Sequence, residues 1–341
     1  MTSEAVVTQV VVIGGGQAGL AAGYYLRRAK LDFVVLDAQA EPGGAWPHGW
    51  NSLRLFSPAR HSSLPGWPMP AFREGYPPAQ HVVEYLTAYE KRYELPIHRP
   101  VRVRSVRRDP DGLRVETDLG DWTAGAVVSA TGTWWRPFIP TIPGAFTGRQ
   151  VHTVEYRGPE QFAGQRVVVI GGGNSGAQIA ADLAEHVDLT WCTARPPRYL
   201  PDEIDGKALF DIATTKPGGI GHLGDIVAVP PVRLARDAGL LTARPMVDRF
   251  DGQDVVWSDG TREPADVVIW CTGFRPALGH LSPLGLRAPD GLIPTTGTRA
   301  VGEPRLHLLG YGNWTGAASA TLIGVGRTAK AAVAEIAADL S

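Results

Sequence analysis

A glycine-rich motif of one kind occurs twice in this chain, near its start and near its middle. Each copy begins with a β-branched apolar run and ends in Gly-x-Gly-x-x-Gly, at residues 14–19 and 171–176. An alanine-rich stretch with helical spacing follows both copies. Strand, glycine turn and helix in this order form the phosphate-binding part of a dinucleotide-binding βαβ unit. Two copies predict two dinucleotides that exchange electrons, typical of a flavin- and nicotinamide-dependent oxidoreductase.

The composition is that of a globular protein large enough for two domains. The chain has 341 residues, 44% of them hydrophobic and 20% charged, with a formal net charge of −1. This charge gives no reason to expect a nucleic acid or an anionic membrane as partner. The only two cysteines, Cys192 and Cys271, form no CxxC motif. They are expected to be core residues of a cytoplasmic protein. No apolar run approaches the roughly 20 residues of a membrane span.

The two halves of the chain follow the same plan. Each has a βαβ unit, an antiparallel meander and a strand that ends in Thr-Gly, at residues 126–132 and 266–273. In the first half the third strand of the meander is expected at 121–124. Residues 306–312 and a helix from about 318 to 340 have no counterpart, so we expect them to return to the first domain. The predicted fold is α/β, with two Rossmann-like domains, each with a parallel sheet and an antiparallel meander.

The first motif has the residue types that a dinucleotide requires. Gly14 allows the tight turn, Gly16 lets the backbone approach a pyrophosphate, and Gly19 allows close packing of helix on strand. The helix N-terminus adds N–H donors and partial positive charge. Asp37 ends the second strand, where an acid accepts hydrogen bonds from ribose hydroxyls. Because all these features agree, a glycine turn without a ligand is disfavoured.

The second motif lacks the acid at the end of its second strand. The chain there reads Thr193-Ala194-Arg195, with Arg198 close behind. Arginine forms charge-assisted and often bidentate bonds with phosphate, whereas an acid would repel it. We therefore predict NADPH rather than NADH, with a solvated basic loop as the alternative.

Residues 43–60 combine glycines and aromatic residues with a few polar groups. Such a composition is typical of a small-molecule pocket. The polar residues are Asn51, Ser52, Arg54, Ser57 and Arg60. The alternative interpretation is a surface loop held by a tryptophan cluster.

At this point the chain resembles the flavin-containing monooxygenases. The linker between the motifs matches that family's signature, Phe-x-Gly-x-x-x-His-x-x-x-Phe/Tyr, at Phe146, Gly148, His152 and Tyr156. Further matches are Gly-Gly-x-Trp at 43–46, Ala-Thr-Gly at 130–132 and Thr-Gly-Phe at 272–274. Together they span nearly the whole chain. Residues 52–66 are also similar to a small bacterial subgroup associated with arsenic-resistance gene clusters.

The resemblance implies both cofactors and a reaction. Residues 1–157 with 275–341 would bind FAD, and residues 158–274, inserted between them, would bind NADPH. NADPH would reduce the flavin, dioxygen would add to it as a flavin (hydro)peroxide, and a small soft nucleophile with a sulfur, nitrogen or arsenic centre would be oxygenated. No acid–base pair is needed, because the cofactor performs the chemistry. Related Baeyer–Villiger enzymes have Trp in place of Tyr156, which disfavours ketone oxidation here.

The resemblance also implies the residues of the site. In the family an Asn faces the flavin, and the expected catalytic residues are Asn51, Ser57 and Arg54. Those expected to bind the two cofactors are Gly14, Gly16, Gln17, Ala18, Gly19, Asp37, Gly44, Ala45, Trp46, Arg54, Val103, Ala130, Thr131, Gly132, Gly171, Gly173, Asn174, Ser175, Gly176, Arg195, Arg198, Thr272, Gly273, Gly312, Asn313 and Thr315. No metal is expected, the partners are a small nucleophile and dioxygen, and a homodimer is left open.

Two other functions stay compatible with the residues. One is a flavin reductase or NADPH oxidase that passes electrons to a protein acceptor or to dioxygen; the absence of CxxC removes its disulfide-reducing version. The other is a dinucleotide-binding sensor without catalysis. The signature at 146–156 speaks against the reductase.

Overall fold

The computed structural model describes residues 5–202, Ala208, Asp211 and residues 226–341, and these form two compact units. The first unit comprises Met1–Pro47, Ser57–Trp135 and Pro276–Ser341, and the second comprises His48–Phe56 and Arg136–Arg275. The units differ from the predicted domains at residues 48–56, at residues 136–157 and at Arg275, all of which lie in the second unit. Their assignment to FAD and NADPH stays a prediction.

The first unit is built on a mixed sheet with helices. Its elements are β1 (Val6–Ile13), α1 (Gln17–Arg28), β2 (Phe33–Leu36), α2 (Ala79–Arg92), β3 (Ile97–His98), β4 (Val103–Asp109), β5 (Gly112–Thr117) and β6 (Trp122–Ser129). The second unit follows with β7 (Arg149–His152), β8 (Arg166–Ile170), α3 (Asn174–Leu183), β9 (Asp188–Thr193), α4 (Pro230–Asp237), β10 (Ala243–Pro245), β11 (Arg249–Asp251), β12 (Asp254–Val256), β13 (Arg262–Pro264) and β14 (Val267–Trp270). The chain then adds β15 (Thr295–Thr296), β16 (Arg299–Ala300), β17 (Glu303–Leu308) and α5 (Leu322–Asp339) to the first unit.

The strand order places the glycine turns at the carboxyl ends of parallel strands. In the first unit the order is β15-β16-β17-β6-β1-β2-β3, and β5 joins β4 to β6. In the second unit the order is β10-β9-β8-β14-β7, beside a separate antiparallel sheet β11-β12-β13. In open α/β sheets, ligands bind outside the carboxyl ends of the strands. The predicted fold class, with two parallel sheets and antiparallel meanders, is confirmed.

Strand β6 corrects one prediction. Residues 121–124 and 126–132 were expected to form separate strands, but residues 122–129 form a single strand that pairs with β1 along its length, from Val6↔Trp122 to Ile13↔Ser129. The first part of β6 also pairs antiparallel with β5, and its second part pairs parallel with β17. Strand β6 thus pairs with β5 along its first part and with β17 along its second part. Its hydrophobic pattern changes where the partner changes, and for this reason the sequence suggested two strands. The pairing with β17 joins the last stretch of the chain to the sheet of the first unit.

The core explains the apolar runs of the sequence. Val10, Val11, Val12 and Ile13 are all buried, as expected for a parallel strand that is covered on both faces. Cys192 and Cys271 are buried too, and burial raises the pKa of each thiol to about 12. Both cysteines are therefore core residues, as predicted. Among the described helices, none combines the length and apolarity of a membrane span.

His307 gives the first unit a pH-dependent stability. This residue on β17 is fully buried, its Nδ1 lies 3.0 Å from the Thr298 hydroxyl, and its Nε2 has no partner among the described residues. Burial lowers its pKa to about 4. The unfolded chain would take up a proton near the ordinary pKa of about 6.5. Protonation therefore favours the unfolded chain as the pH falls from about 6.5 towards 4.

We expect His307→Gln to reduce the loss of unfolding free energy between about pH 7 and pH 5 by roughly 2 kcal/mol relative to the natural chain. Glutamine cannot take up the proton that destabilises the natural fold. Urea unfolding at both pH values measures this difference. His186→Gln, at an exposed histidine, serves as the control and should keep the natural pH dependence. An identical loss in His307→Gln would contradict the prediction.

Candidate dinucleotide sites

The glycine turn of the first unit is set by direct backbone contact. Gly14 has a φ of +106°, and a Cβ there would lie 2.6 Å from the Ala130 carbonyl oxygen of the neighbouring strand end. A Cβ on Gly19 would lie 1.9 Å from the Gly14 carbonyl oxygen. Only glycine fits these two positions. Gly44 approaches equally closely, since a Cβ there would lie 2.8 Å from the Gly16 Cα. The structure thus brings together the predicted residues Gly14, Gly16, Gly19, Gly44 and Ala130.

An ion-pair cluster around the buried Asp37 lies beside this turn. Arg99 Nε is 2.9 Å from Asp37 Oδ2, and Arg99 Nη2 is 2.9 Å from Glu90 Oε2. The three side chains are 12%, 7% and 14% exposed in the order Arg99, Asp37, Glu90. A Cβ on Gly15 would lie 2.6 Å from Asp37 Oδ2, so the acid adjoins the glycine turn. Arg99 offsets the charge of Asp37, and the carboxylate keeps acceptor capacity for a further hydrogen bond.

Sequence reasoning missed Arg99 and Glu90. The pairing of β2 with β3 (Leu36↔His98) brings Arg99 to the end of β2. In the sequence, Arg99 is visible only as a basic residue directly after a short strand. Such a residue is too common to indicate a site.

A cavity of about 160 Å³ opens at the carboxyl ends of β1 and β2. Four predicted residues line it, namely Gly14, Asp37, Val103 and Thr131. His280, which was not predicted, lines it too, and burial lowers its pKa to about 4, so its ring is neutral. Its Nε2 lies 3.1 Å from the Ser129 hydroxyl. The size and the acid suit one part of a dinucleotide, such as its ribose.

Tyr311 ties the end of β17 to the end of β6. Its hydroxyl lies 2.9 Å from Ser129 Oγ and 2.8 Å from Thr131 Oγ1. Thr315 forms hydrogen bonds within the same turn. Its hydroxyl accepts the Tyr311 N–H at 3.1 Å and lies 2.9 Å from Ser319 Oγ. Beside this turn, a Cβ on Gly310 would lie 2.7 Å from the Ala18 Cβ. The predicted residue Ala18 therefore lies against Gly310, and the predicted residue Thr315 stabilises the turn that follows β17. The predicted residues Asn313 and Ala45 are exposed.

Two further predicted residues of the first unit bond to each other. Trp46 Nε1 donates to Gln17 Oε1 at 3.1 Å, and Gln17 Nε2 donates to the Ala320 carbonyl at 2.7 Å. These bonds connect the start of α1 to the turn at 43–46 and to the chain before α5. Helix α5 begins later than predicted, at Leu322, where the Thr321 hydroxyl accepts the Gly324 N–H.

The second unit repeats the backbone contacts of the first. Gly171 has a φ of +142°, and a Cβ there would lie 2.2 Å from the Cys271 carbonyl oxygen. A Cβ on Gly176 would lie 2.1 Å from the Gly171 carbonyl oxygen. At Gly173 no atom of the described residues lies within 4 Å of such a Cβ, which leaves room there for a ligand against the backbone. Ser175 lies half-buried at the start of α3. The repeat read from the sequence is thus also a repeat of geometry.

The end of β9 differs from the end of β2. Thr193 stands there, buried, and a Cβ on Gly172 would lie 3.3 Å from its side chain. Arg195 and Arg198 follow and are exposed. The Arg198 carbonyl accepts the Ile226 N–H at 3.1 Å, which fixes the backbone at this point. The second glycine turn therefore has arginines where the first has a carboxylate.

Asn174, Thr272 and Gly273 bond to the protein itself. Asn174 Oδ1 accepts the Val227 N–H at 2.8 Å. Thr272 Oγ1 donates to the Phe138 carbonyl, and the Gly273 carbonyl accepts the Phe138 N–H at 3.0 Å. The predicted role of these three residues in cofactor binding stays a prediction, and their observed bonds position the chain around the glycine turn.

The predicted catalytic residues are divided between the units. Asn51 and Arg54 are exposed residues of the second unit. Ser57 is a buried residue of the first unit, with its hydroxyl 2.9 Å from Ser62 Oγ. Their catalytic role stays a prediction.

The residues of the linker signature are all anchored in the second unit. A Cβ on Gly148 would lie 2.6 Å from the Phe146 ring, which packs against Phe250. His152 Nε2 donates to the Gly273 carbonyl at 3.1 Å. Burial lowers the pKa of His152, so the ring is a neutral structural donor. The Tyr156 hydroxyl donates to Asp182 at 2.7 Å.

Comparisons with known proteins agree with this architecture. The family model of the pyridine nucleotide-disulphide oxidoreductases matches residues 11–199. A solved flavin-containing monooxygenase from Stenotrophomonas maltophilia is 50% identical with a TM-score of 0.93, and the similarity covers 98% of this chain and 100% of that one. An oxidoreductase named CzcO from Bacillus subtilis is 31% identical over 94% of this chain and 96% of its own length. The indole-3-pyruvate monooxygenase YUCCA1 of rice is 33% identical over 73% of this chain and 61% of its own length.

None of these names refers to arsenic, so membership of an arsenic-resistance subgroup stays a prediction. The resemblance to flavin-containing monooxygenases is confirmed over 98% of the chain. The chain belongs to the pyridine nucleotide-disulphide oxidoreductases and, within them, to the flavin-containing monooxygenases, which are oxidoreductase enzymes.

Proposed function

We propose that this enzyme uses FAD and NADPH to transfer one atom of dioxygen to a small soft nucleophile with a sulfur, nitrogen or arsenic centre. The observation that carries the proposal is the pair of equivalent glycine turns with opposite charges beside them. Asp37 adjoins the first turn, and Arg195 and Arg198 follow the strand beside the second. The two turns thus suit two different dinucleotides.

The first unit is proposed to bind FAD. The glycine turn at 14–19 would take the pyrophosphate at the N-terminus of α1, and Asp37 would accept hydrogen bonds from a ribose. Arg99 reduces the repulsion between this carboxylate and the phosphates. The same acid would exclude a 2′-phosphate, which NADPH carries and FAD lacks. When bound, FAD would accept a hydride from the nicotinamide and react with dioxygen.

The second unit is proposed to bind NADPH. The open backbone at Gly173 allows close approach of a pyrophosphate. Thr193 leaves the end of β9 without a carboxylate, and Arg195 and Arg198 offer charge-assisted bonds to a 2′-phosphate. Arg195 makes no ion pair with the described residues.

The proposal of a soft nucleophile as substrate is based on the family resemblance and on the two buried cysteines of the chain. The resemblance implies that no acid–base pair is needed, which suits a reaction in which the substrate attacks an activated oxygen directly. Both cysteines are buried, with raised pKa values, so neither serves as a redox thiol. Cytoplasmic residence is part of the same proposal.

The first test is oxygen transfer to a simple thioether. We expect methyl phenyl sulfide, NADPH and isotopically labelled dioxygen to give sulfoxide with one labelled atom, at close to one product per NADPH. Catalase is added so that free hydrogen peroxide cannot oxidise the sulfide. Consumption of NADPH without any oxygenated product, for sulfide, amine and arsenite alike, would contradict the proposal and favour an NADPH oxidase or reductase.

The second test concerns the nicotinamide cofactor. We expect Arg195→Ala combined with Arg198→Ala to raise the KM for NADPH at least about tenfold and to leave the KM for NADH within about twofold, because a hydrogen bond to a charged group contributes roughly 1.5–3 kcal/mol. Steady-state kinetics with both nicotinamides measure this. Arg249→Ala removes an exposed arginine from the same unit and should change neither KM. Equal effects on NADPH and NADH would contradict the assignment.

The third test concerns Asn51. We expect Asn51→Ala to raise the hydrogen peroxide released per NADPH oxidised at least about twofold, because the amide is proposed to hydrogen-bond the activated oxygen until the substrate reacts. Peroxide and NADPH are measured in the same reaction. Gln80→Ala, which removes an exposed amide on α2, is the control. Unchanged coupling in Asn51→Ala would exclude this role.

A further inference from the structure

We propose that Asp182, together with the hydroxyl groups of Tyr156 and Ser52, positions residues 48–56 so that Asn51 is fixed for the oxygen chemistry. This inference rests on the proposed function. All residues involved belong to the second unit. Asp182 and Tyr156 are therefore positioning residues, acting through Asn51.

One carboxylate oxygen joins the two segments. Asp182 lies near the end of α3, and its Oδ2 accepts the Tyr156 hydroxyl at 2.7 Å and the Ser52 hydroxyl at 3.0 Å. Tyr156 is fully buried, Asp182 is half-buried and Ser52 is exposed. The bond to Asp182 thus connects an exposed turn to a rigid part of the unit.

The donor of this bond is held firmly. The Tyr156 ring stacks on Phe162 with 5.8 Å between the ring centroids and 7° between the planes. Burial and the adjacent Asp182 carboxylate both raise the pKa of Tyr156, so its hydroxyl stays protonated and donates throughout the working pH range. Asp182 therefore accepts a hydrogen bond from a buried hydroxyl that stays protonated.

The backbone supplies a second anchor to the same turn. The Asn51 N–H donates to the Arg157 carbonyl at 3.0 Å, and Arg157 Nη1 donates to the His48 carbonyl at 3.2 Å. Trp50 is buried and meets the Tyr156 ring edge-on, with 6.5 Å between the centroids. Residues 48–52 are thus bound on both sides of Asn51 to the end of the linker signature.

The hydroxyl of Tyr156 orients Asp182 by a hydrogen bond that the ring alone could not form. The signature accepts Phe or Tyr at this position, and only Tyr can donate to Asp182. Without that bond, Asp182 loses the donor that orients it, and Ser52 loses its fixed acceptor. An exposed turn gains conformational freedom when a side-chain anchor is removed. Asn51 would then sample more positions, and the activated oxygen would escape as hydrogen peroxide more often.

The inference is tested by hydrogen–deuterium exchange and by coupling on the FAD-loaded protein. We expect Tyr156→Phe, which keeps the ring, to speed amide exchange of peptides covering residues 48–56 by about threefold or more. The same variant should release at least about twofold more hydrogen peroxide per NADPH with an unchanged KM for NADPH. Asp182→Asn keeps an acceptor oxygen and should fall between the natural chain and Asp182→Ala. Thr8→Val removes a similar hydroxyl–carboxylate bond, from Thr8 to Asp32, in the first unit and serves as the control.

Each result decides the inference. Faster exchange and weaker coupling in Tyr156→Phe and Asp182→Ala, with partial rescue in Asp182→Asn, would support it. Unchanged exchange at 48–56 would show that the bond is no anchor, and faster exchange with natural coupling would show that the anchor does not serve the reaction; either result overturns it. Absence of labelled sulfoxide with the natural chain would instead refute the proposed function, and the exchange experiment would still decide whether the anchor exists.

Discussion

The structure depends on close backbone contacts at glycines where any side chain would overlap a neighbouring carbonyl group. In the first unit a Cβ at Gly14 would meet the Ala130 carbonyl, and one at Gly19 would meet the Gly14 carbonyl. Gly171 and Gly176 repeat both contacts in the second unit. Because each turn is closed in this way, each helix begins directly beside the carboxyl end of a strand. The backbone N–H groups at the start of each helix are then available to a phosphate.

Charge separates two turns that are otherwise equivalent. The first turn adjoins a carboxylate whose charge is offset by a half-buried arginine, and the second is followed by a threonine and two exposed arginines. A ribose with free hydroxyls suits the first environment, and a 2′-phosphate suits the second. The chain therefore needs only a few substitutions at the ends of two strands to distinguish its proposed cofactors. The fold itself carries no such preference.

Sequence reasoning succeeded where local chemistry decides the structure. The strand, glycine turn and helix at each motif were predicted in their observed order, because the glycine turn fixes where each helix begins, at Gln17 and at Asn174. It failed for β6, where two partners share one strand. It also missed Arg99, Glu90 and Asp182, since a side-chain pair formed between distant segments leaves no pattern in the sequence. The polar residues of 43–60 belong to both units, and their role in one pocket stays a prediction.

The linker signature can now be explained in physical terms. Gly148 makes room for the Phe146 ring, His152 donates to the carbonyl of Gly273, and Tyr156 donates to Asp182. Each residue thus fixes a different segment of the second unit, and Tyr156 with Arg157 fixes the turn that carries Asn51. Such a signature identifies the family because it holds the parts of the fold in place.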